Sequence, residues 1–151
     1  IIVMKRKVDK MKGIVIVTHG KLCEGYLDSA KLFFKDDLKQ LLTCSLEMDS
    51  KLDEFSEQII NSCKSADTGE GVVVLVDLVG GTPCNTVLKL LLEKKLENVK
   101  VLAGLNFPMF LELLGQRMVG TYDFDGLLKV GKDGVTEVKL PNENEDDEEI
   151  I

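Results

Sequence analysis

Short apolar runs alternate with longer segments of helical periodicity along most of the chain. Ile14–Val17 and Val72–Val76 are apolar throughout, which is typical of parallel strands covered on both faces. Leu41–Ser45 and Val99–Ala103 predict two further strands. After each run, apolar residues recur at three- and four-residue spacing, which predicts four helices. Their apolar positions are Leu22, Tyr26, Ala30 and Phe33; Leu52, Phe55, Ile59 and Cys63; Val87, Leu88, Leu91 and Leu92; and Met109, Phe110, Leu113 and Leu114.

The pattern changes after Gly115. Leu127–Val130 and Val135–Leu140 are short apolar runs on either side of the glycine-containing segment Gly131–Gly134, which predicts a hairpin. The alternation of strands and helices before it predicts an α/β fold. We therefore expect a three-layer α/β/α sandwich around a mostly parallel sheet, with an antiparallel last strand at about residues 135–140.

The domain organisation follows from the same pattern and from charge. We expect a leader or N-terminal extension at residues 1–12 and one domain at residues 13–140. Residues 141–151 are strongly acidic, which predicts a solvated, disordered tail.

Two of the predicted strands end in polar residues. Ile14–Val17 leads into Thr18 and His19, the only histidine of the chain, while Val72–Val76 leads into Asp77. Because parallel strands deliver their carboxyl ends to one edge of a sheet, we expect His19 and Asp77 to lie together.

The residues around this edge suit the transfer of a phosphoryl group. A neutral His19 imidazole is a nucleophile at cellular pH, and the Asp77 carboxylate can fix its tautomer. Gly80 and Gly81 allow the backbone to come close to an anion at the start of a helix. The Thr82 hydroxyl either caps that helix or donates to a phosphoryl oxygen.

Composition excludes several other classes of protein. The formal net charge of −7 argues against binding to nucleic acid or to an anionic membrane. No apolar stretch approaches the roughly 20 residues of a membrane span, and no signal peptide is recognisable, so we expect a cytoplasmic chain. The sequence contains neither the G-x-S-x-G motif of hydrolases nor the glycine-rich motifs that bind nucleotides.

The four cysteines predict neither a metal centre nor a disulfide framework. They are evenly spread, never form C-x-x-C, and accompany a single histidine; they are Cys23, Cys44, Cys63 and Cys84. We therefore expect reduced, buried thiols, and no cofactor or metal.

Three segments give the prediction its specificity. They are V-T-H-G at Val17–Gly20, L-V-D-L-V-G-G-T-P-C-N at Leu75–Asn85 and A-G-L-N-F-P-M at Ala103–Met109. In this order they resemble the enzyme IIA component of the mannose family of the bacterial sugar phosphotransferase system. The resemblance covers about residues 13–118.

The resemblance implies a phosphocarrier. His19 would be phosphorylated by the carrier protein HPr and would pass the group to a IIB component, which serves the membrane components IIC and IID. Asp77 would orient His19, and Thr82 would occupy the position of a hydroxyl that lines the site. The family fold implies a homodimer that exchanges its last strand, for which Val135–Leu140 is the candidate. No Ala/Pro-rich linker to a IIB domain is present, so IIB is expected on a separate polypeptide.

Two alternatives remain at this stage. A related phosphocarrier domain serves dihydroxyacetone kinase with the same fold and histidine, although G-G-T-P-C-N favours the sugar-transport branch. A regulatory module could instead sense a small anion without turnover, although the intact pair of His19 and Asp77 argues against it.

Overall fold

The computed structural model describes residues 11–35 and 38–142, which form four strands and five helices. The strands are β1 (Gly13–His19), β2 (Leu41–Leu46), β3 (Val72–Val76) and β4 (Val99–Ala103). The helices are α1 (Leu22–Phe34), α2 (Leu52–Ala66), α3 (Thr82–Leu92), α4 (Phe107–Val119) and α5 (Phe124–Asp133). The predicted leader lies outside the described residues up to residue 10, and the predicted acidic tail does so from residue 143.

The strands form one parallel sheet in the order β2-β1-β3-β4. Alternate residues of each strand face opposite layers, as strand geometry requires. Val15 and Val17 face α2 and α3, whereas Ile14 and Ile16 face α1, α4 and α5. All four side chains are fully buried, and the predicted three-layer α/β/α sandwich is confirmed.

The order of the strands places the candidate residues side by side. β1 and β3 are parallel neighbours, with Val17 opposite Val76 in the register. Asp77 follows β3 directly, so it lies beside His19 at the end of β1. The sheet topology therefore joins two residues that are far apart in the sequence.

The predicted hairpin is wrong, because Leu127–Val130 belongs to α5. The Asp123 side chain caps this helix by accepting a hydrogen bond from the Gly126 N–H at 3.0 Å. Leu127 and Gly131 are buried and lie one helical turn apart, on the side where α5 packs against α4. A four-residue apolar run alone does not distinguish a strand from such a helix.

The segment that was expected to form the last strand has no regular secondary structure. Val135, Val138 and Leu140 are exposed to 77%, 91% and 91%. A strand needs a neighbour for its backbone hydrogen bonds, and within the described residues this segment has none. The sheet of the described chain is therefore wholly parallel, and exchange of this segment between subunits stays a prediction.

Two further properties concern the cysteines and the lengths of the helices. All four cysteines are free and buried. No helix within residues 11–35 and 38–142 is long and apolar enough to cross a membrane.

Candidate active site

His19 is the last residue of β1 and stands at a tightly defined turn into α1. Gly20 has a left-handed φ of +54° and donates its N–H to the Leu46 carbonyl at 2.7 Å. The hydroxyl of Thr18, which is fully buried, accepts the Cys23 N–H at 2.9 Å and donates to the Gly20 carbonyl at 3.3 Å. These contacts fix the backbone on both sides of the histidine, whose side chain remains 44% exposed.

Asp77 holds His19 at two points with one oxygen. Its Oδ2 accepts the main-chain N–H of His19 at 3.0 Å and lies 2.9 Å from the ring Nδ1. Its Oδ1 accepts the Leu78 N–H at 3.0 Å. The carboxylate is 9% exposed, so protein donors rather than water define its orientation.

This geometry selects one tautomer of the imidazole. When Nδ1 carries the hydrogen and donates it to Asp77, the lone pair lies on Nε2. The Asp77 charge also stabilises the positive ring that forms when Nε2 becomes bonded to an electrophile. The pair therefore presents Nε2 of His19 as the nucleophilic atom.

Gly80 and Gly81 meet two different requirements of the loop before α3. Gly80 has a φ of +75°, a conformation that favours glycine. Gly81 lies against the ring: a Cβ at this position would be 2.8 Å from Cε1 and 3.5 Å from Nε2 of His19. The missing side chain of Gly81 thus lets the start of α3 approach the reactive edge of the imidazole.

The start of α3 offers donors to an anion. Gly81 is the N-cap, Thr82 is the first helical residue, and Pro83 has no N–H. The expectation that Thr82 caps the helix is therefore wrong, which leaves the alternative that its hydroxyl donates to a ligand. This hydroxyl makes no hydrogen bond within the described residues, and Thr82 is exposed. The first N–H groups of a helix and its dipole attract phosphate oxygens.

Tyr26 lies within the electrostatic influence of the carboxylate. Its hydroxyl donates to the Leu105 carbonyl at 3.1 Å. Burial, and to a smaller extent the charge of Asp77, raises the pKa of Tyr26. The phenol therefore stays protonated at neutral pH and ties α1 to the loop that follows β4.

The surface around His19 is partly apolar. A cleft of about 590 Å³ lies beside the histidine and is lined by Gly20, Lys21, the end of β2 at Leu46 and the loop at residues 47–49. Met48 on this loop is fully exposed, and Leu78 and Val79 on the loop after β3 are 58% and 80% exposed. Apolar side chains therefore stand on both sides of the reactive ring.

Comparison with known proteins identifies the family. The family model described as the phosphotransferase system fructose IIA component matches residues 13–126, from β1 into α5. The chain belongs to the mannose family of phosphotransferase-system IIA components. All sequence-predicted site residues of this IIA component lie within the match.

Individual relatives agree with this assignment. The mannose-specific EIIAB component of Escherichia coli K12 is 30% identical over 130 residues, which cover 83% of this chain and 39% of that protein. The IIA component therefore spans about two fifths of the length of the curated relatives that it matches.

Solved structures give the same result. An EIIA component from Streptococcus agalactiae has a TM-score of 0.71 and 26% identity, with 84% of this chain and 97% of that chain covered. A IIA protein associated with the fucose utilization operon of Streptococcus pneumoniae has a TM-score of 0.75 and 25% identity, with coverage of 84% and 93%.

The structure adds two polar residues to the site of this IIA component. Thr18 caps the turn after β1, and Asn85 donates from its side chain to the Gly80 carbonyl at 2.9 Å. Thr18 lies in the V-T-H-G motif directly before His19, and Asn85 is the last residue of the motif that contains Gly80-Gly81-Thr82. Their position within a motif was the only signal in the sequence. Neither residue type by itself indicates a nucleophile, an acid or a base.

Proposed function

We propose that this IIA component is a phosphocarrier that accepts a phosphoryl group from phosphorylated HPr on His19 and passes it to a IIB component. The contact between Asp77 Oδ2 and the His19 Nδ1, at 2.9 Å, carries the proposal. It leaves Nε2 exposed as the nucleophile, and a carboxylate stands where positive charge develops on the ring.

The proposed step is an in-line displacement at phosphorus. The Nε2 lone pair of His19 forms the new N–P bond while the N–P bond to the donor histidine breaks, and the donor imidazole keeps that electron pair. Asp77 stabilises the His19 ring as it becomes positive. The N–H groups at the start of α3 and the Thr82 hydroxyl stabilise the phosphoryl oxygens.

The surface around the ring supports transfer between proteins. Met48, Leu78 and Val79 would be covered by a docked partner, as exposed apolar patches beside a site usually are. Glu47 and Asp49 line the same cleft against the single positive charge of Lys21, and this balance favours a partner with a basic face. HPr and a IIB component, both acting in the cytoplasm, are the partners that we assign to this surface. The components IIC and IID would be reached only through IIB.

We also propose that the chain forms a homodimer by exchanging residues 135–140. β4 is an edge strand of the described sheet, and the exposed Val135, Val138 and Leu140 would be covered by pairing with the β4 of a second copy. Analytical ultracentrifugation tests this: the full chain should sediment as a dimer, and a chain that ends at Gly134 as a monomer. A monomeric full chain would contradict the exchange.

The function is tested by reconstitution. The purified chain is incubated with phosphoenolpyruvate, enzyme I and HPr, and the intact mass is measured with and without HPr. We expect the mass of one phosphoryl group to appear only with HPr, and to be lost on addition of a cognate IIB protein. Discharge by the dihydroxyacetone kinase instead would assign the chain to that branch, and an unlabelled chain would favour the anion-sensing alternative.

A further inference from the structure

Asn85 holds both carbonyl groups of the glycine pair that precedes α3. Its side-chain Nδ2 donates to the Gly80 carbonyl at 2.9 Å, and its main-chain N–H donates to the Gly81 carbonyl at 2.9 Å. Asn85 is exposed and lies on the first turn of the helix, so it makes these contacts at the surface of the site.

The two contacts fix the directions of two N–H groups. The C=O and N–H of a trans peptide unit point in opposite directions. Because the Gly80 and Gly81 carbonyls point toward Asn85, the N–H groups of Gly81 and Thr82 point away from it, out of the helix start. The Gly81 N–H donates to the Leu78 carbonyl at 3.4 Å and closes the turn, so the Thr82 N–H is the one left for a ligand.

Gly81 also lies against the ring of His19. The space where a Gly81 Cβ would stand is bounded by Cε1 and Nε2 of His19. Gly80 has a left-handed φ, and no neighbouring atom stands within 4 Å of the position where its own Cβ would lie. The Asn85 side chain is therefore the contact that holds the Gly80 carbonyl, and a rotation of this peptide would turn a carbonyl oxygen toward the incoming phosphoryl oxygens.

We propose that Asn85 is a positioning residue for phosphoryl transfer, which holds the Gly80-Gly81-Thr82 backbone so that the Thr82 N–H faces the phosphoryl group on Nε2 of His19. The inference rests on the proposed function and adds a residue to it. Asn85 acts through the backbone and does not touch the reacting atoms.

The test compares Asn85→Ala and Asn85→Asp with Thr86→Val. Aspartate keeps the shape of asparagine but has no hydrogen to donate to Gly80. Thr86→Val is the control. It also removes a hydrogen bond from a side chain to a main-chain carbonyl at the start of α3, because the Thr86 hydroxyl donates to the Thr82 carbonyl at 2.7 Å. Single-turnover phosphorylation is measured against the concentration of phosphorylated HPr, together with thermal unfolding and the NMR signal of His19 Hε1.

We expect both Asn85 variants to lower the rate at saturating phosphorylated HPr by about tenfold or more, since small misplacements of catalytic groups cost this much. The half-saturating concentration should stay the same, and the His19 Hε1 signal should shift. Thr86→Val should keep the wild-type rate and signal, with thermal unfolding similar to that of the Asn85 variants.

Three results would overturn the inference. The first is a wild-type rate in Asn85→Ala, and the second is an equal loss in Thr86→Val, which would reflect the stability of the helix. The third is a change confined to the half-saturating concentration, which would make Asn85 a docking contact. A wild-type chain that never accepts the phosphoryl group would overturn the proposed function instead, and the Hε1 comparison would still decide whether Asn85 sets the position of the Gly81 backbone beside the ring.

Discussion

Asp77 Oδ2 contacts both the main-chain N–H and the ring Nδ1 of His19, at 3.0 and 2.9 Å. One oxygen thereby fixes the end of β1 and the orientation of the imidazole together. Rotation of the ring would break the second contact while the first still holds the backbone. This arrangement leaves Nε2 outside the contact with Asp77 on a side chain that is 44% exposed, which fits the proposed role as a carrier.

Removing the imidazole should abolish phosphoryl acceptance and leave the fold intact. In His19→Ala the main-chain N–H can still donate to Asp77, and the lost side chain is 44% exposed. We expect the free energy of unfolding to change by no more than about 1 kcal/mol. Intact mass after reconstitution and thermal unfolding check the two halves of this prediction. An acid-labile phosphoryl adduct in the variant would show that another residue is the acceptor.

Replacing the carboxylate should slow the transfer without unfolding the protein. The neutral amide introduced by Asp77→Asn cannot offset the charge of the ring. The two Asp77 oxygens accept three N–H groups, and the NH₂ group of asparagine cannot accept any of them. We expect the rate of phosphorylation to fall by at least about a hundredfold, toward the loss seen when a triad carboxylate is replaced. Rapid-quench measurements with phosphorylated HPr test this, and a rate equal to that of the wild type would remove Asp77 from the mechanism.

The two glycines should separate activity from stability. Gly81 has an ordinary φ of −73°, so Gly81→Ala keeps the backbone but pushes the His19 ring away from its place. It should lose most of its phosphorylation rate with little change in stability. Gly80→Ala meets open space but must hold a φ of +75°, at a cost of roughly 1–2 kcal/mol. Denaturant unfolding and phosphorylation rates measured on both variants should therefore rank them in opposite orders.

The thiols of Cys44 and Cys63, which are buried between the sheet and α2, should be unreactive in the folded protein. Burial raises the pKa of Cys44 to about 11 and that of Cys63 to about 12, from an ordinary value of 9.0. Because the folded state favours the neutral thiols, their contribution to stability is complete below pH 9 and is lost as the pH rises toward 11 and 12.

Alkylation with iodoacetamide followed by peptide mapping checks this expectation. At pH 8 the two cysteines should be modified only as fast as the chain unfolds, and stability should decline above pH 9. Rapid modification at pH 8 without unfolding would contradict the burial of these thiols.

The fold could be predicted where a residue pattern fits only one type of secondary structure. Val72–Val76 is apolar at every position and follows a glycine turn, so its bounds agree with β3. The signal failed at Leu127–Val130, where four apolar-rich residues fit a strand equally well. The cap at Asp123 is a local signal that the sequence carries, whereas the close approach of Gly131 to Met109 is a tertiary feature.

The site could be predicted only as far as residue chemistry shows in the sequence. The proximity of His19 and Asp77 followed from the rule that parallel strands share an edge. The contact between Gly81 and the imidazole did not, because it depends on the angle at which α3 enters the site. Asn85 was missed for the same reason: its two contacts are set by the shape of the loop that it closes.

The central claim is that Asp77 holds Nδ1 of His19 and leaves Nε2 to carry phosphorus. Long-range ¹H–¹⁵N correlation NMR of the phosphorylated protein, labelled with ¹⁵N-histidine, tests it directly because the chain contains one histidine. We predict that phosphorylation moves the Nε2 resonance to that of a phosphorylated nitrogen, while Nδ1 keeps its hydrogen. Phosphorus on Nδ1, or a phosphorylated chain whose histidine spectrum does not change, would contradict the account.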